Sequence, residues 1–253
     1  MNTQTPQKIA IVGATSAIAE HCARLWMASG GAAELVLIGR DEGRLQALAT
    51  DLRIRGPGAE VVCVAGDLGS TEGIASLVER ACAGRAPDVV LVAHGSLPDQ
   101  AQCQGDLVQA REALEVNGVS PALFAEAFVA RMQQVGGGVL GLIGSVAGDR
   151  GRKSNYVYGA AKGLLARYAQ GLQHRLVGSA VAVCLIKPGP TDTPMTAALK
   201  SRGARLASVE AVAADIVAGM ARRRPVIYTP GKWALIMLVI RHLPRFVFNR
   251  MDI

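Results

Sequence analysis

Tyr158 and Lys162 stand four residues apart in the run Tyr158-Gly159-Ala160-Ala161-Lys162, and Ser145 precedes the tyrosine by thirteen positions. A spacing of four on a helix places a phenol and an ammonium on one face. An ammonium held near a phenol favours the phenolate. The spacing therefore predicts a phenol drawn down from about 10 toward the range of an acid/base catalyst. Many helices hold such a pair by chance. The pair acquires meaning only if the chain also supplies a cofactor loop, a strand end that presents the serine, and a substrate pocket.

The elements that must position these groups follow from hydrophobic patterning. Short β-rich runs are expected over 8–12, 34–38, 60–65, 88–93, 139–145, 180–186 and 225–229, and helices over 16–29, 42–55, 71–83, 107–134 and 156–176. Gly56-Pro57-Gly58 and Gly136-Gly137-Gly138 are stop signals after two of the helices. The β runs are nearly continuously apolar, as strands buried on both faces must be. Alternating β and α with buried strands predicts an α/β fold: a Rossmann-type, doubly wound parallel β-sheet of about seven strands with helices on both faces. Ligands of such sheets bind outside the carboxyl ends of the strands. Residues 1–230 are expected to form one domain, and 231–253 a tail.

Gly13-Ala14-Thr15-Ser16-Ala17-Ile18 follows the first strand and opens a helix. A dinucleotide fold places its pyrophosphate there, over the helix N-terminus. Gly13 is the only glycine in that turn, so an ordinary β–α turn stays open as a reading; Ser16 is a plausible helix cap. Gly39-Arg40 ends the second strand, where a guanidinium suits a ribose 2′-phosphate and an acid would select NAD. Asp41 and Glu42 fit the N-terminus of the next helix. NADP(H) is therefore expected over NAD(H). Asp67 and Leu68 end the third strand, where Asp67 either meets an adenine amino group or caps a helix.

Asn117 in a long helix, Ser145 at a strand end, Tyr158 with Lys162, and Pro188-Gly189 after the sixth strand complete a joint pattern from about residue 8 to residue 229. This pattern resembles the short-chain dehydrogenase/reductase family. The resemblance implies that Tyr158 is the general acid or base and that Lys162 holds the nicotinamide ribose and tunes the tyrosine. It further implies that Ser145 polarises the substrate carbonyl and that Asn117 positions a water behind Lys162. Ala93, Gly95, Pro188, Gly189 and Thr191 then line the nicotinamide side, with Ile186 a further backbone candidate. Where the family carries Asn-Asn-Ala-Gly, this chain has Val92-Ala93-His94-Gly95, so an asparagine tie between strands is missing. His94 is read first as structural, with a role toward cofactor or substrate left open. Gly144 to Arg152 and Ser154-Asn155-Tyr156 are similar to the decaprenylphosphoryl-2-keto-ribose reductase branch. That resemblance implies a keto-sugar or lipid-linked ketone, with Arg150, Arg152 and Lys153 either facing a phosphate or solvated. A reductase of soluble ketones or 3-oxoacyl chains, and a non-catalytic nucleotide-binding regulator, are the competing readings.

The chain is 253 residues long, 50% hydrophobic and 19% charged, which suits a large core and argues against disorder. Its five cysteines lack metal-ligand or disulfide spacing and read as apolar packing in a reducing cytosol, with no metal expected. No secretory signal is read in residues 1–7, and no apolar run approaches the ~20 residues that span a bilayer. Nothing in the pattern points to nucleic acid. The net charge is +7, and Lys232, Arg241, Arg245 and Arg250 against Asp252 place +3 of it in residues 231–253. With Trp233 and the run 234–240, that tail is expected to lie on a membrane surface, to pack on a partner subunit or to lid the site, with a break at Pro244. Helices apolar on more than one face predict a homodimer or homotetramer.

Overall fold

The computed structural model describes residues 7–201 and 203–251. The polar residues 1–6, Arg202 and the last two residues, Asp252 among them, lie outside the described residues. Seven strands form one parallel sheet in the order β3-β2-β1-β4-β5-β6-β7. They are β1 Gln7–Val12, β2 Ala32–Gly39, β3 Glu60–Ala65, β4 Val89–Val92, β5 Gly138–Ile143, β6 Val181–Pro188 and β7 Val226–Thr229. The helices are α1 Ala17–Ala28, α2 Glu42–Arg55, α3 Thr71–Ala81, α4 Gln100–Gly105, α5 Leu107–Leu114, α6 Ser120–Gln134, α7 Tyr156–Arg175, α8 Ala197–Ser201, α9 Val209–Ala221, α10 Lys232–His242 and α11 Arg245–Phe248.

Alternation along the strands sorts side chains into two cores. Ala10 and Val12 of β1 join Phe124, Phe128 and Leu165 of α6 and α7 on one face. Ile9 and Ile11 join Trp26, Leu45, Val212 and Ile216 of α1, α2 and α9 on the other. Successive strand residues point to opposite faces, so both faces must be apolar, which is why the runs lacked alternation. The chain order reverses between β1 and β4, and the connections leaving their carboxyl ends diverge to opposite faces. A crevice opens at that point.

The helix expected over 107–134 is not a single α-helix. It comprises α5, a π-helical turn over Glu115–Val119, and α6. Pro121 accounts for the change: it has no N–H for the carbonyl of Asn117, and its ring crowds that carbonyl, so the turn widens there. In the C-terminal segment α10 ends at His242, and α11 begins after Pro244, the break expected there. The five cysteines are free, three of them buried.

Candidate active site

All but one of the residues singled out from the sequence as catalytic or cofactor-binding line one cavity of about 1070 Å³ at the carboxyl ends of the strands. Ile186 does not; it is fully buried in the core. The first wall of the cavity is the turn from Gly13 to Ile18. Gly13 has φ +75°, and a Cβ on it would lie 2.6 Å from the His94 backbone, so any side chain is excluded twice over. Ser16 caps α1, its hydroxyl accepting from the Ala19 amide at 3.4 Å. The amides of Ala17 and Ile18 then open the helix without intrahelical acceptors, a cradle suited to an anion.

Arg40 stands exposed at the end of β2. Asp41 caps α2, accepting from the Arg44 amide at 3.0 Å, so its carboxylate is spent on the helix. Arg44, which the sequence reading did not single out, also lines the cavity and donates to the Thr15 carbonyl at 3.2 Å. Its signal was the spacing of four from Arg40. Asp67 lines the cavity too, but its two oxygens accept from the Gly69 and Ser70 amides at 2.9 and 3.0 Å. These bonds, with the Ser70 hydroxyl first, hold its pKa below the usual carboxylate value. Ser70 itself is the cap of α3.

His94 is buried and also lines the cavity. Its Nε2 lies 2.8 Å from the Ser120 hydroxyl, which donates its one proton to the Leu68 carbonyl. His94 must therefore donate from Nε2, leaving Nδ1 bare and without a partner. Burial first, then the positive charges of Lys162 and Arg40, push its pKa down to about 3. The His94–Ser120–Leu68 chain links the end of β4 to α6 and to the loop after β3. It supplies a tie where the family's asparagine is missing.

At the other end of the cavity four polar groups converge. Ser145 lies two residues beyond β5 and caps the 3-10 turn Val146–Asp149, accepting from the Ala147 amide at 3.1 Å. Gly148 in that turn comes so close to α7 that a Cβ would lie 2.7 Å from the Lys162 carbonyl group, which locks the serine turn onto the Tyr158–Lys162 helix. Lys162 is 3% exposed and donates to the Ile143 carbonyl at 2.9 Å. Asn117, fully buried in the π turn, accepts from the Ser96 amide at 3.0 Å and donates to the Ala113 carbonyl at 2.9 Å. A Cβ on Gly95 would meet Asn117 Oδ1 at 2.8 Å and Lys162 Nζ at 3.6 Å, so that glycine leaves the space between them open.

The electrostatics differ from the simple expectation for the pair. Burial raises the Tyr158 phenol above its ordinary value, and the hydrogen bond from Ser145 only partly opposes this. Lys162 lies 5.8 Å from the centre of the tyrosine ring, and burial pulls its own pKa down to about 8. The ammonium is engaged at Ile143 and does not draw the phenol down.

Arg150 and Arg152 do not face the cavity. Arg150 donates to the Leu243 carbonyl at 2.7 Å and to that of Ile240, and stacks 3.8 Å over the Phe248 ring. Arg152 lies 3.7 Å from Met237 Sδ. Both hold the C-terminal helices, which removes them as contacts for a substrate phosphate. Asp149 pairs with Lys187, and Tyr228 donates to it at 2.7 Å.

Fold and site together define a doubly wound α/β protein with a Ser-Tyr-Lys constellation at the carboxyl ends of the strands. Residues 7–203 match the family model of the short chain dehydrogenases. The chain belongs to that family of oxidoreductases. It is 33% identical over 249 residues to an uncharacterized oxidoreductase of Streptomyces coelicolor, covering 97% of this chain and 96% of that one. It is 29% identical to the cis-4-hydroxycyclohexanecarboxylate dehydrogenase of Sinomonas cyclohexanicum, covering 87% and 82%. A short-chain dehydrogenase of Sphingobium yanoikuyae, solved in complex with NADPH, superimposes with a TM-score of 0.80 at 23% identity, covering 98% and 97%.

Proposed function

We propose that this protein is an NADP(H)-dependent reductase that interconverts a ketone and a secondary alcohol, with Tyr158 as the proton donor. The observation that carries the reading is the convergence of Ser145, Tyr158, Lys162 and Asn117 at one end of a cavity whose other end carries Arg40 and the α1 N-terminus. The site fits a dinucleotide: the turn at Gly13 tolerates no side chain, and α1 presents open amides. Gly13 to Ile18 would hold the pyrophosphate, Asp67 and Leu68 the adenine side, and Ala93, Gly95, Pro188, Gly189 and Thr191 the nicotinamide side. Arg40, with Arg44 beside it, would take a 2′-phosphate. The cofactor supplies hydride, and the protein supplies placement and protons.

Ser145 donates a hydrogen bond to the substrate carbonyl oxygen, where negative charge develops during reduction. Tyr158 gives its proton to that oxygen. A phenol raised by burial is protonated at neutral pH, the form reduction requires. Lys162 and Asn117 stand behind it, either side of the gap at Gly95, where a water would return the proton from solvent. The substrate class we favour is a keto-sugar or lipid-linked ketone, with soluble ketones and 3-oxoacyl chains as the alternative. The relative that acts on a hydroxylated cyclohexane ring supports a cyclic secondary alcohol. Exposed Leu114, Leu123 and Leu164 on α5, α6 and α7 favour a homo-oligomer, and the free cysteines suit the cytoplasm.

The test is NADPH consumption with a panel of cyclic and acyl ketones by wild type and Tyr158→Phe. Loss of a general acid lowers kcat by about 10²–10⁴. Equal rates in the two proteins would remove the proposed chemistry and leave a nucleotide-binding protein without it.

A further inference from the structure

The helix α10 is apolar on two opposite faces. Trp233, Ile236, Met237 and Ile240 follow helical spacing and turn inward. Trp233 packs so closely on Gly189 of the cavity wall that a Cβ there would lie 1.9 Å from the indole nitrogen. The outer face repeats the spacing with Leu235, Leu238 and Val239, exposed by 68%, 53% and 55%. Phe246 in α11 is 67% exposed. A short helix that is apolar all round needs a second surface to cover it. At 11 residues it is too short to span a bilayer, and no described helix is long and apolar enough to do so.

Charge decides what covers it. Lys232, Arg245 and Arg250 are exposed and form no salt bridge among the described residues. Arg241 reaches the Tyr228 hydroxyl. Residues 231–253 hold four cations against one acid, Asp252. A two-fold contact with a second copy through this face would gather the cations of two tails along one seam, with a single acid in each tail, Asp252, to answer four cations. An apolar stripe with a net charge of +3 beside it is instead the signature of a segment lying in the headgroup region of an anionic bilayer.

We infer that the outer face of α10 and α11, through Leu235, Leu238, Val239 and Phe246, docks the protein on an anionic membrane surface, with Lys232, Arg245 and Arg250 against the headgroups. The inner face of the same helix touches the cavity loop at Gly189. Docking therefore puts the cavity wall about one helix diameter, ~10 Å, from the lipid. The surface does not depend on which ketone is reduced, so its test is independent of the catalytic reading.

The experiment is sedimentation of the full chain with vesicles of phosphatidylcholine alone or with phosphatidylglycerol added. Expected is binding to the anionic vesicles that salt weakens, with little binding to the neutral ones. Arg245→Gln with Arg250→Gln should weaken it roughly 30-fold. Leu238→Ser with Phe246→Ser should abolish it, while the mass in light scattering stays that of the wild type. Absence of binding to anionic vesicles overturns the inference, as does undiminished binding by either double variant. A fall in oligomeric mass for Leu238→Ser with Phe246→Ser also overturns it, assigning the face to a second copy.

Discussion

At the scale of single residues, the site is built against stability. Lys162 sits at 3% exposure, and burial pulls its pKa from 10.5 down to about 8. Its folded pKa is below its unfolded one, so between about 8 and 10.5 the unfolded chain binds more protons, and stability rises with pH across that window. Below pH 8 the folded state carries the full cost of the buried ammonium, on the order of 3 kcal/mol. Lys162→Met removes that cost and gives up the bond to Ile143, for a net gain of roughly 1–2 kcal/mol. Thermal melts should show a higher Tm for the variant at pH 7, by about 3–6 °C, shrinking toward pH 10. Reductase activity should be lost. A lower Tm at pH 7 would mean that Lys162 is structural. His94 shows the opposite use of burial. Its pKa near 3 keeps the ring neutral in any working buffer, as its part in the tie to Ser120 and Leu68 requires.

At the scale of elements, the serine turn is anchored by β6 and β7, the two strands beyond β5. Asp149 closes the 3-10 turn that Ser145 caps, and it pairs with Lys187 at the end of β6 and with Tyr228 of β7. The side chains of Asp149 and Lys187 are 4% and 5% exposed. Removing one partner leaves the other buried and unpaired, at a cost of about 3–5 kcal/mol. Asp149→Leu should therefore lower Tm by roughly 10 °C and depress kcat through the displaced Ser145 turn. Asp149→Leu with Lys187→Met should recover most of the Tm, because the penalty lies in the lone charge. Differential scanning calorimetry on the three proteins checks this, and a double variant as unstable as the single one would refute it.

This anchor was not legible in the sequence, although much around it was. The strands declared themselves by unbroken apolar runs, and Ser16 and Asp41 by their cap positions. Gly13 was legible because only glycine fits its turn. Arg150 and Arg152 misled because nearness in sequence to Ser145 and Tyr158 says nothing of direction, and their partners lie some 90 positions away. Asp149 and Lys187 were hidden for the same reason: a buried ion pair across strands has no local signature. α9 was legible but unread. Ser208 caps it, and Val209, Val212, Ala213, Ile216 and Met220 follow one helical face. The π turn at Asn117 needed Pro121 to be read four residues ahead.

At the scale of the whole molecule, one cavity draws its walls from both halves of the sheet. Gly13, Arg40 and Asp67 follow β1, β2 and β3, while Gly95, Ser145 and Gly189 follow β4, β5 and β6. A dinucleotide filling it would bridge the two halves and stabilise only the folded chain. At a hundredfold excess over Kd, such linkage contributes about 2.7 kcal/mol, a rise in Tm of roughly 5–10 °C. The two cofactors differ only by the 2′-phosphate, so the difference between their shifts at equal concentration isolates the groups that meet it. Among the described residues Arg40 has no carboxylate partner in a salt bridge, and Arg44 is held against Thr15, so both guanidiniums stand at that end of the cavity ready to pair. NADPH should raise Tm more than NADH in wild type. In Arg40→Ala the NADPH shift should fall toward the NADH value, and in Arg40→Ala with Arg44→Ala the two should coincide, with the NADH shift itself unchanged. An NADPH preference that survives both substitutions would place the phosphate contact elsewhere. Equal shifts in wild type would make this a protein without a choice between the cofactors, and Arg40 an ordinary solvated residue at a strand end.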